Sequence, residues 1–385
     1  MMKISRIRTH LLASKLDRGF GWSLNWVEHR SALLVEIETD QGITGWGEAG
    51  VPGNEAVATV ISCLLGPLLR GQDPMDREVL WERIYAHTRD YGQKGFLIEA
   101  MSGLDIALWD IMGQALGLPV HKLLGGAARD RVLAYATGLY YREATDLTQN
   151  LVEEATGYVE EGFAALKMKI GGLPPSQDLR NVRAVREAIG PETLLMVDAN
   201  HAYSPATAIA MGRELEALGV YWFEEPVIPE DLEGYLEVKA ALDLPIAGGE
   251  CEFTRYGFRE LISRRAVDIV QPDSCRAGGL SEVKKIATLA STWGIPCIPH
   301  VWGTPIAMAA ALHLLATLPD LPGCRTPLPF HQAPVLEFDR TPHPIRDELA
   351  EEPLLAENGW VQVPTSPGLG VKVRREAIER FGVRL

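Results

Sequence analysis

Ala165-Leu166-Lys167-Met168-Lys169-Ile170 is a short apolar run that carries two lysines at its end. It reads as a buried strand, and lysines two apart on a strand project from the same face. The pattern recurs downstream. Leu194 to Val197 runs into Asp198, Val220 to Phe223 into Glu224, and Pro245 to Ala247 precedes Glu250. Val267 to Gln271 precedes Asp273, Ile295 to Pro299 precedes His300, and Val335 to Phe338 contains Glu337. One further apolar run, Val132 to Ala136, comes before the series. From Lys169 the steps between charged groups are 29, 26, 26, 23, 27 and 37 residues, each about the length of one βα unit. Amphipathic stretches such as Leu179 to Ile189 and Ser281 to Thr292 lie between the runs. Strands alternating with helices in this way predict an α/β fold, a closed parallel (β/α)8 barrel. A position repeated at strand ends lies on the C-terminal rim, so these charged groups should converge. The eighth unit is the least regular, because Pro319 to Pro334 is a long Pro-rich connection.

The text before the barrel is different. Leu33, Val35 and Ile37 alternate with Leu34, Glu36 and Glu38. Asp40-Gln41-Gly42 turns the chain, and Ile43 to Glu48 returns, which is a hairpin signal. From Met101 the apolar residues Leu104, Leu108, Ile111, Met112 and Ala115 keep a helical period, and Gly117 and Pro119 supply a stop. These features predict an N-terminal α+β domain over residues 1–128 and a barrel over 129–352. A C-terminal segment, 353–385, contains Gly359-Trp360-Val361-Gln362-Val363 and should pack back on the first domain.

Composition narrows the function. Hydrophobic residues make up 46% of the 385, so a large core can form. The formal net charge of −14 disfavours nucleic-acid binding, which needs a basic patch. The cysteine count is odd (Cys63, Cys251, Cys275, Cys297, Cys324) and no pair has zinc-site spacing. That points to a reducing, cytoplasmic setting rather than a disulfide framework. No apolar run is long enough for a membrane span.

Asp198, Glu224 and Glu250 come from consecutive strands. Three close carboxylates repel one another unless a cation neutralises them, and an all-oxygen set suits a hard ion such as Mg²⁺. Lys167 and Lys169 should lower each other's pKa, leaving one poised as a base. Asp273 and His300 end neighbouring strands, where a carboxylate can fix the imidazole tautomer and free the other nitrogen for proton transfer. Asn200 is a further candidate around the metal. Trp22, Trp26 and Trp302 are candidate pocket walls.

Together, Lys167-Met168-Lys169, Asp198-Ala199-Asn200, Glu224-Glu225-Pro226, Gly248-Gly249-Glu250, Gln271-Pro272-Asp273 and Pro299-His300 resemble the mandelate racemase subgroup of the enolase superfamily. Leu104 to Asp110 and Leu123-Leu124-Gly125-Gly126 look like that family's capping-domain text. The resemblance implies Mg²⁺ held by Asp198, Glu224 and Glu250, and removal of the proton next to a substrate carboxylate. Lys169 would be one acid/base, with Lys167 tuning it. His300, oriented by Asp273, would stand on the opposite face, and a protonated Glu337 would donate a hydrogen bond to the substrate carboxylate. The stretches Phe223 to Glu230, His300 to Thr304 and Leu336 to Thr341 are similar to galactarolactone cycloisomerases, with acid-sugar dehydratases and racemases or epimerases as alternatives. The implied partner is a small sugar acid or lactone, and the implied assembly a homo-oligomer. The capping loops around Ser14 to Arg30 and Gly50 to Asn54 would set the substrate.

Overall fold

The computed structural model describes residues 1–383; Arg384 and Leu385, the end of the expected C-terminal segment, lie outside the described residues. The chain opens with a three-stranded antiparallel sheet of β1 (Ile4–Gly21), β2 (Trp26–Thr39) and β3 (Thr44–Glu48), in that order. The expected hairpin is β2–β3, with Leu34 opposite Glu48 and Glu38 opposite Thr44. The long first strand is not legible in the sequence, because its burial does not alternate and Lys15, Asp17 and Arg18 interrupt it. One face of the sheet packs on the helix Phe96–Leu116, which ends at a left-handed Gly117 as the stop signal predicts. Glycines make that contact close. A Cβ on Gly47 would lie 1.9 Å from the Gly103 carbonyl oxygen, and one on Gly45 would lie 2.3 Å from that of Ala107.

The barrel strands follow: β4 (Arg131–Thr137), β5 (Ala165–Lys169), β6 (Leu194–Asp198), β7 (Val220–Glu224), β8 (Ile246–Gly248), β9 (Ile269–Val270) and β10 (Leu336–Asp339). Neighbours from β4 to β9 pair in parallel. β10 returns to pair in parallel with β4, Glu337 opposite Tyr135, and so brings the last unit back to the first. The expected seventh strand, Ile295 to Pro299, forms only a single parallel bridge, Cys297 to Val270. Pro296 and Pro299 have no N–H to give to a ladder, so the segment is held by Val270 N to Pro296 O and Ile298 N to Val270 O. Helices follow the strands, from Leu147–Glu160 to Pro305–Thr317 and the short Pro344–Leu349.

The C-terminal segment touches both parts. β11 (Ala356–Glu357) and β12 (Trp360–Gln362) form a small hairpin, and β12 runs antiparallel beside the first half of β4. The chain then lies against the capping helix, Leu369 N donating to Asp110 Oδ1 at 2.8 Å. Its last helix, Arg375–Phe381, reaches the sheet through the pair Arg375 to Glu36.

Buried polar contacts join cap to barrel, those of Glu48, Asp105 and Arg30 among them. Glu48, at the end of β3, accepts from Thr304 N (3.1 Å), Thr304 Oγ1 (2.6 Å) and Ala307 N (3.2 Å) at the N-terminus of the helix Pro305–Thr317. Burial pushes its carboxyl up to about 7 against those hydrogen bonds. Asp105 takes Ser281 N (2.9 Å) and Ser281 Oγ (2.5 Å). Arg30 on β2 reaches Thr341 Oγ1 (2.7 Å), the Trp302 carbonyl (3.0 Å) and Asp339 (3.1 Å). Among the described residues no helix is long and apolar enough to cross a membrane.

The close sheet–helix contact makes a direct prediction. Gly47→Ala should destabilise the protein by about 1–3 kcal/mol through overpacking. Gly42→Ala, at a turn with nothing within 4 Å, carries only the cost of its left-handed backbone. Urea denaturation of the two variants checks this, and a Gly47 variant as stable as the parent would contradict it.

Candidate active site

The barrel register lines up the charged groups. Lys169 pairs with Asp198, and Asp198 with Glu224, across β5, β6 and β7. A register shift between Leu195 and Val197 lets Asp198 and Glu224 share that layer. Lys167 lies two residues back and pairs with Thr137 of β4. Glu250 follows β8, Asp273 follows β9 and His300 follows the bridged seventh segment. All eight sequence candidates meet on one rim.

Asp198, Glu224 and Glu250 each offer an oxygen within 4.8 Å of the others. The lysines thread this acidic group: Lys169 pairs with Asp198, and Lys167 pairs with Glu224 and, at 2.8 Å, with Glu337. Glu224 also accepts from Trp222 Nε1 (3.0 Å) and Gln271 Nε2 (2.7 Å). Glu337 accepts from Thr137 Oγ1 (2.6 Å) and Val301 N (3.0 Å). His300 Nδ1 stands 2.7 Å from Asp273 Oδ2, whose other oxygen accepts from Cys275 N at 2.6 Å. Its Nε2 faces Glu250 at 3.4 Å. Asn200 donates its backbone N–H to Asp198 (2.8 Å), while its own side-chain oxygen is buried without a partner.

The electrostatics differ from the sequence expectation in two places. The lysines are held above their usual pKa, not below it. Burial lowers both, but Glu224 and Glu337 outweigh it at Lys167, and Asp198 with Tyr140 outweighs it at Lys169. The mutual repulsion of the lysines is the smaller effect. Glu337, expected as a protonated donor, is instead held down to about 2: burial works to raise it, but Lys167 and His300 prevail. It stands here as a carboxylate that accepts. Glu224 goes the other way, pushed up to about 8 by burial, with Asp198 and Glu337 adding to that and Lys167 opposing. His300 is raised to about 10: burial lowers it, but Glu250, the Asp273 hydrogen bond and Glu337 outweigh that. The site is more acidic than its own cations balance.

Aromatic rings wall the mouth. Phe20 and Trp22 from β1 and the loop after it meet Tyr140 and Trp302 edge-on, the Trp22–Trp302 centroids 5.7 Å apart. Val51 packs on the same cluster. Trp26, the third candidate wall, is instead 44% exposed at the start of β2 and is not part of this cluster. It lines an open groove of 1440 Å³ that none of the eight charged candidates touches. Sequence reading missed Tyr140, whose ring lies 5.1 Å from Lys169 Nζ, and Arg30, whose guanidinium stacks on Trp302 at 3.9 Å. Their only sequence signal is position: one follows a barrel strand, the other lies in the predicted capping loop.

Two family models match the chain: "Mandelate racemase / muconate lactonizing enzyme, N-terminal domain" over residues 7–125, and "Enolase C-terminal domain-like" over 150–377. The chain belongs to the enolase superfamily. Among its relatives is the D-galactarolactone cycloisomerase of Agrobacterium fabrum, 45% identical over 380 residues and 99% of each chain. The arabinonate dehydratase of Saccharolobus solfataricus is 39% identical over 92% of this chain and 91% of its own. A 3,6-anhydro-D-galactonate cycloisomerase from Zobellia galactanivorans has a crystal structure that superposes with a TM-score of 0.88. It is 42% identical, over 99% of this chain and 100% of that one.

In chelator-treated protein, His300 should stay imidazolium through neutral pH, because its folded pKa lies above the unfolded one. The charged form's contribution to stability is then present below about 6.5 and lost as the pH rises through about 10. Asp273→Asn should lower the titration midpoint by about one to two units, read by NMR on ¹³C-labelled histidine. An unchanged midpoint would contradict the assigned cause.

Proposed function

We propose that the enzyme removes the proton alpha to a carboxylate of a sugar acid or its lactone and expels the oxygen on the β-carbon. The observation that carries this reading is the placement of Lys169 and the Asp273–His300 pair around the three-carboxylate group. The full-length likeness to a galactarolactone cycloisomerase favours the lactone as substrate. The matching dehydratases keep open acid sugars as a second reading.

The donor set fits Mg²⁺: three carboxylate oxygens close together, mutually repelling, with an unpartnered Asn200 oxygen alongside. Asp198, Glu224 and Glu250 would hold the ion. When bound, Mg²⁺ supplies positive charge that offsets Asp198's hold on Lys169 and stabilises the enediolate formed from the substrate. Lys169, freed of its proton, accepts the α-proton. Lys167 stays paired with Glu337 and adds positive charge below it. His300 is already protonated, and Asp273 anchors Nδ1 so that Nε2 can donate to the departing oxygen. The α-C–H electrons become the enediolate double bond, the β-C–O bond breaks, and the enol ketonises to a 3-deoxy-2-oxo acid. If the leaving oxygen belongs to the lactone ring, nothing is lost and the product is an isomer. If it is a hydroxyl, water leaves.

In this reading the cap, 1–128, closes over the barrel, 129–352, and the chain returning from 353 packs against both. In this reading Phe20, Trp22 and Trp302 choose the substrate.

¹H NMR in D₂O with Mg²⁺, over hexaric and hexonic acids and their 1,4-lactones, tests the proposal. A 3-deoxy-2-oxo acid formed from a lactone without prior ring opening is the expected result. Formation only from the open acid makes the enzyme a dehydratase, and inversion at the α-carbon with the β-oxygen kept makes it an epimerase. Lys169→Met should cost about 10²–10⁴-fold in turnover. Glu250→Gln should weaken Mg²⁺ binding and abolish turnover; full activity in either variant would refute the assigned roles.

A further inference from the structure

Directly beside the carboxylate group lies a second cluster of different chemistry: His201, Glu225 and Cys251, whose ligand atoms all lie within 4.8 Å of one another. They follow Asp198, Glu224 and Glu250 by three, one and one residues, so the same strand ends that deliver the carboxylates deliver them.

The geometry points to a separate site for a borderline-soft divalent cation such as Zn²⁺, held by His201 Nε2, a Glu225 carboxylate oxygen and Cys251 Sγ. Three observations carry this. First, the donor set mixes nitrogen, oxygen and sulfur, which suits zinc and not Mg²⁺. Second, the two spacings from His201 lie within about 0.3 Å of a tetrahedron's edges. With Zn–N about 2.05 Å and Zn–S about 2.3 Å, a tetrahedral N···S edge is about 3.6 Å and an N···O edge about 3.4 Å. His201 Nε2 lies 3.6 Å from Cys251 Sγ and 3.1 Å from Glu225 Oε2. Third, Glu225 is 1% exposed, and its Oε2 has no aligned hydrogen bond although the imidazole stands beside it. A carboxylate buried in that way is costly unless paired, and among the described residues its ion-pair partner is this half-buried histidine alone.

His201 and Cys251 are each partly open, which gives an ion a way in and leaves the fourth position to water. Binding displaces the thiol proton of Cys251 to solvent and uses the neutral imidazole's lone pair. The site does not depend on the reaction proposed above.

Co²⁺ is the spectroscopic probe. Chelator-treated enzyme, kept in excess Mg²⁺ to fill the carboxylate group, is titrated with Co²⁺ and then with Zn²⁺. The expected result is a thiolate-to-cobalt charge-transfer band that saturates at one equivalent per chain and is bleached by Zn²⁺. It should vanish in Cys251→Ser, need more than tenfold more Co²⁺ in His201→Ala, and persist in Cys63→Ser and Cys324→Ser, whose thiols are exposed elsewhere. No charge-transfer band in the folded parent protein would overturn the proposal, as would a band that survives Cys251→Ser.

Discussion

The structure turns on an unequal burial of charge at one end of a barrel. Asp198, Glu224 and Glu337 are each at most 1% exposed, as is Lys167. Taking an ion out of water costs several kcal/mol unless a partner and hydrogen bonds compensate. Lys167 serves Glu224 and Glu337 at once, and Lys169 serves Asp198. That leaves Glu224 pushed up to about 8 and, among the described residues, Glu250 with His300 as its ion-pair partner. An arrangement with surplus carboxylate is what a divalent cation needs. Without the ion, the lysines neutralise the acids that the ion would otherwise take. The raised pKa values of both lysines and the crowded acids are therefore two views of one fact: the carboxylates that hold the ammonium groups are those that, in the proposed reading, would hold the metal.

The cap matters because it finishes this site from outside the barrel. Glu48 ties the end of β3 to the N-terminus of the helix after the seventh segment, next to the loop that carries His300 and Trp302. Arg30 reaches over from β2 to the same loop and to Asp339 on β10. Its buried ion pair with Asp339 and its stacking on Trp302 fix a ring that faces Trp22. The sheet that bears Phe20 is thus locked to the barrel rim by polar contacts buried from water. In the proposed reading, a substrate chosen by those rings would be presented to Lys169 and His300.

Much of this was legible in the chain, for a definite reason. A βα repeat puts charged groups at strand ends, so Lys169, Asp198, Glu224, Glu250, Asp273 and His300 stand out by spacing, while Glu337 lies within the eighth run after a longer step. What stayed hidden depends on contacts across space. The direction of the lysine shifts depends on which acid each ammonium group meets, and two lysines on one strand suggest repulsion first. The ionised state of Glu337 depends on Lys167 and His300, from other strands. The seventh strand failed because prolines at 296 and 299 cannot donate, a signal present in the sequence but outvoted by the repeat. Trp22 and Trp26 sit four residues apart in the same stretch, yet only the first turns toward the site. Glu225 and Cys251 were masked by standing next to stronger candidates.

The central claim is that Mg²⁺ and protons compete for one set of buried groups. Calorimetric titration of Mg²⁺ into chelator-treated enzyme at pH 7, repeated in buffers of different ionisation enthalpy, measures the protons exchanged on binding. The account predicts net proton release, with Glu224 losing the proton that its raised pKa retains. Binding with no proton released, or with uptake, would contradict it.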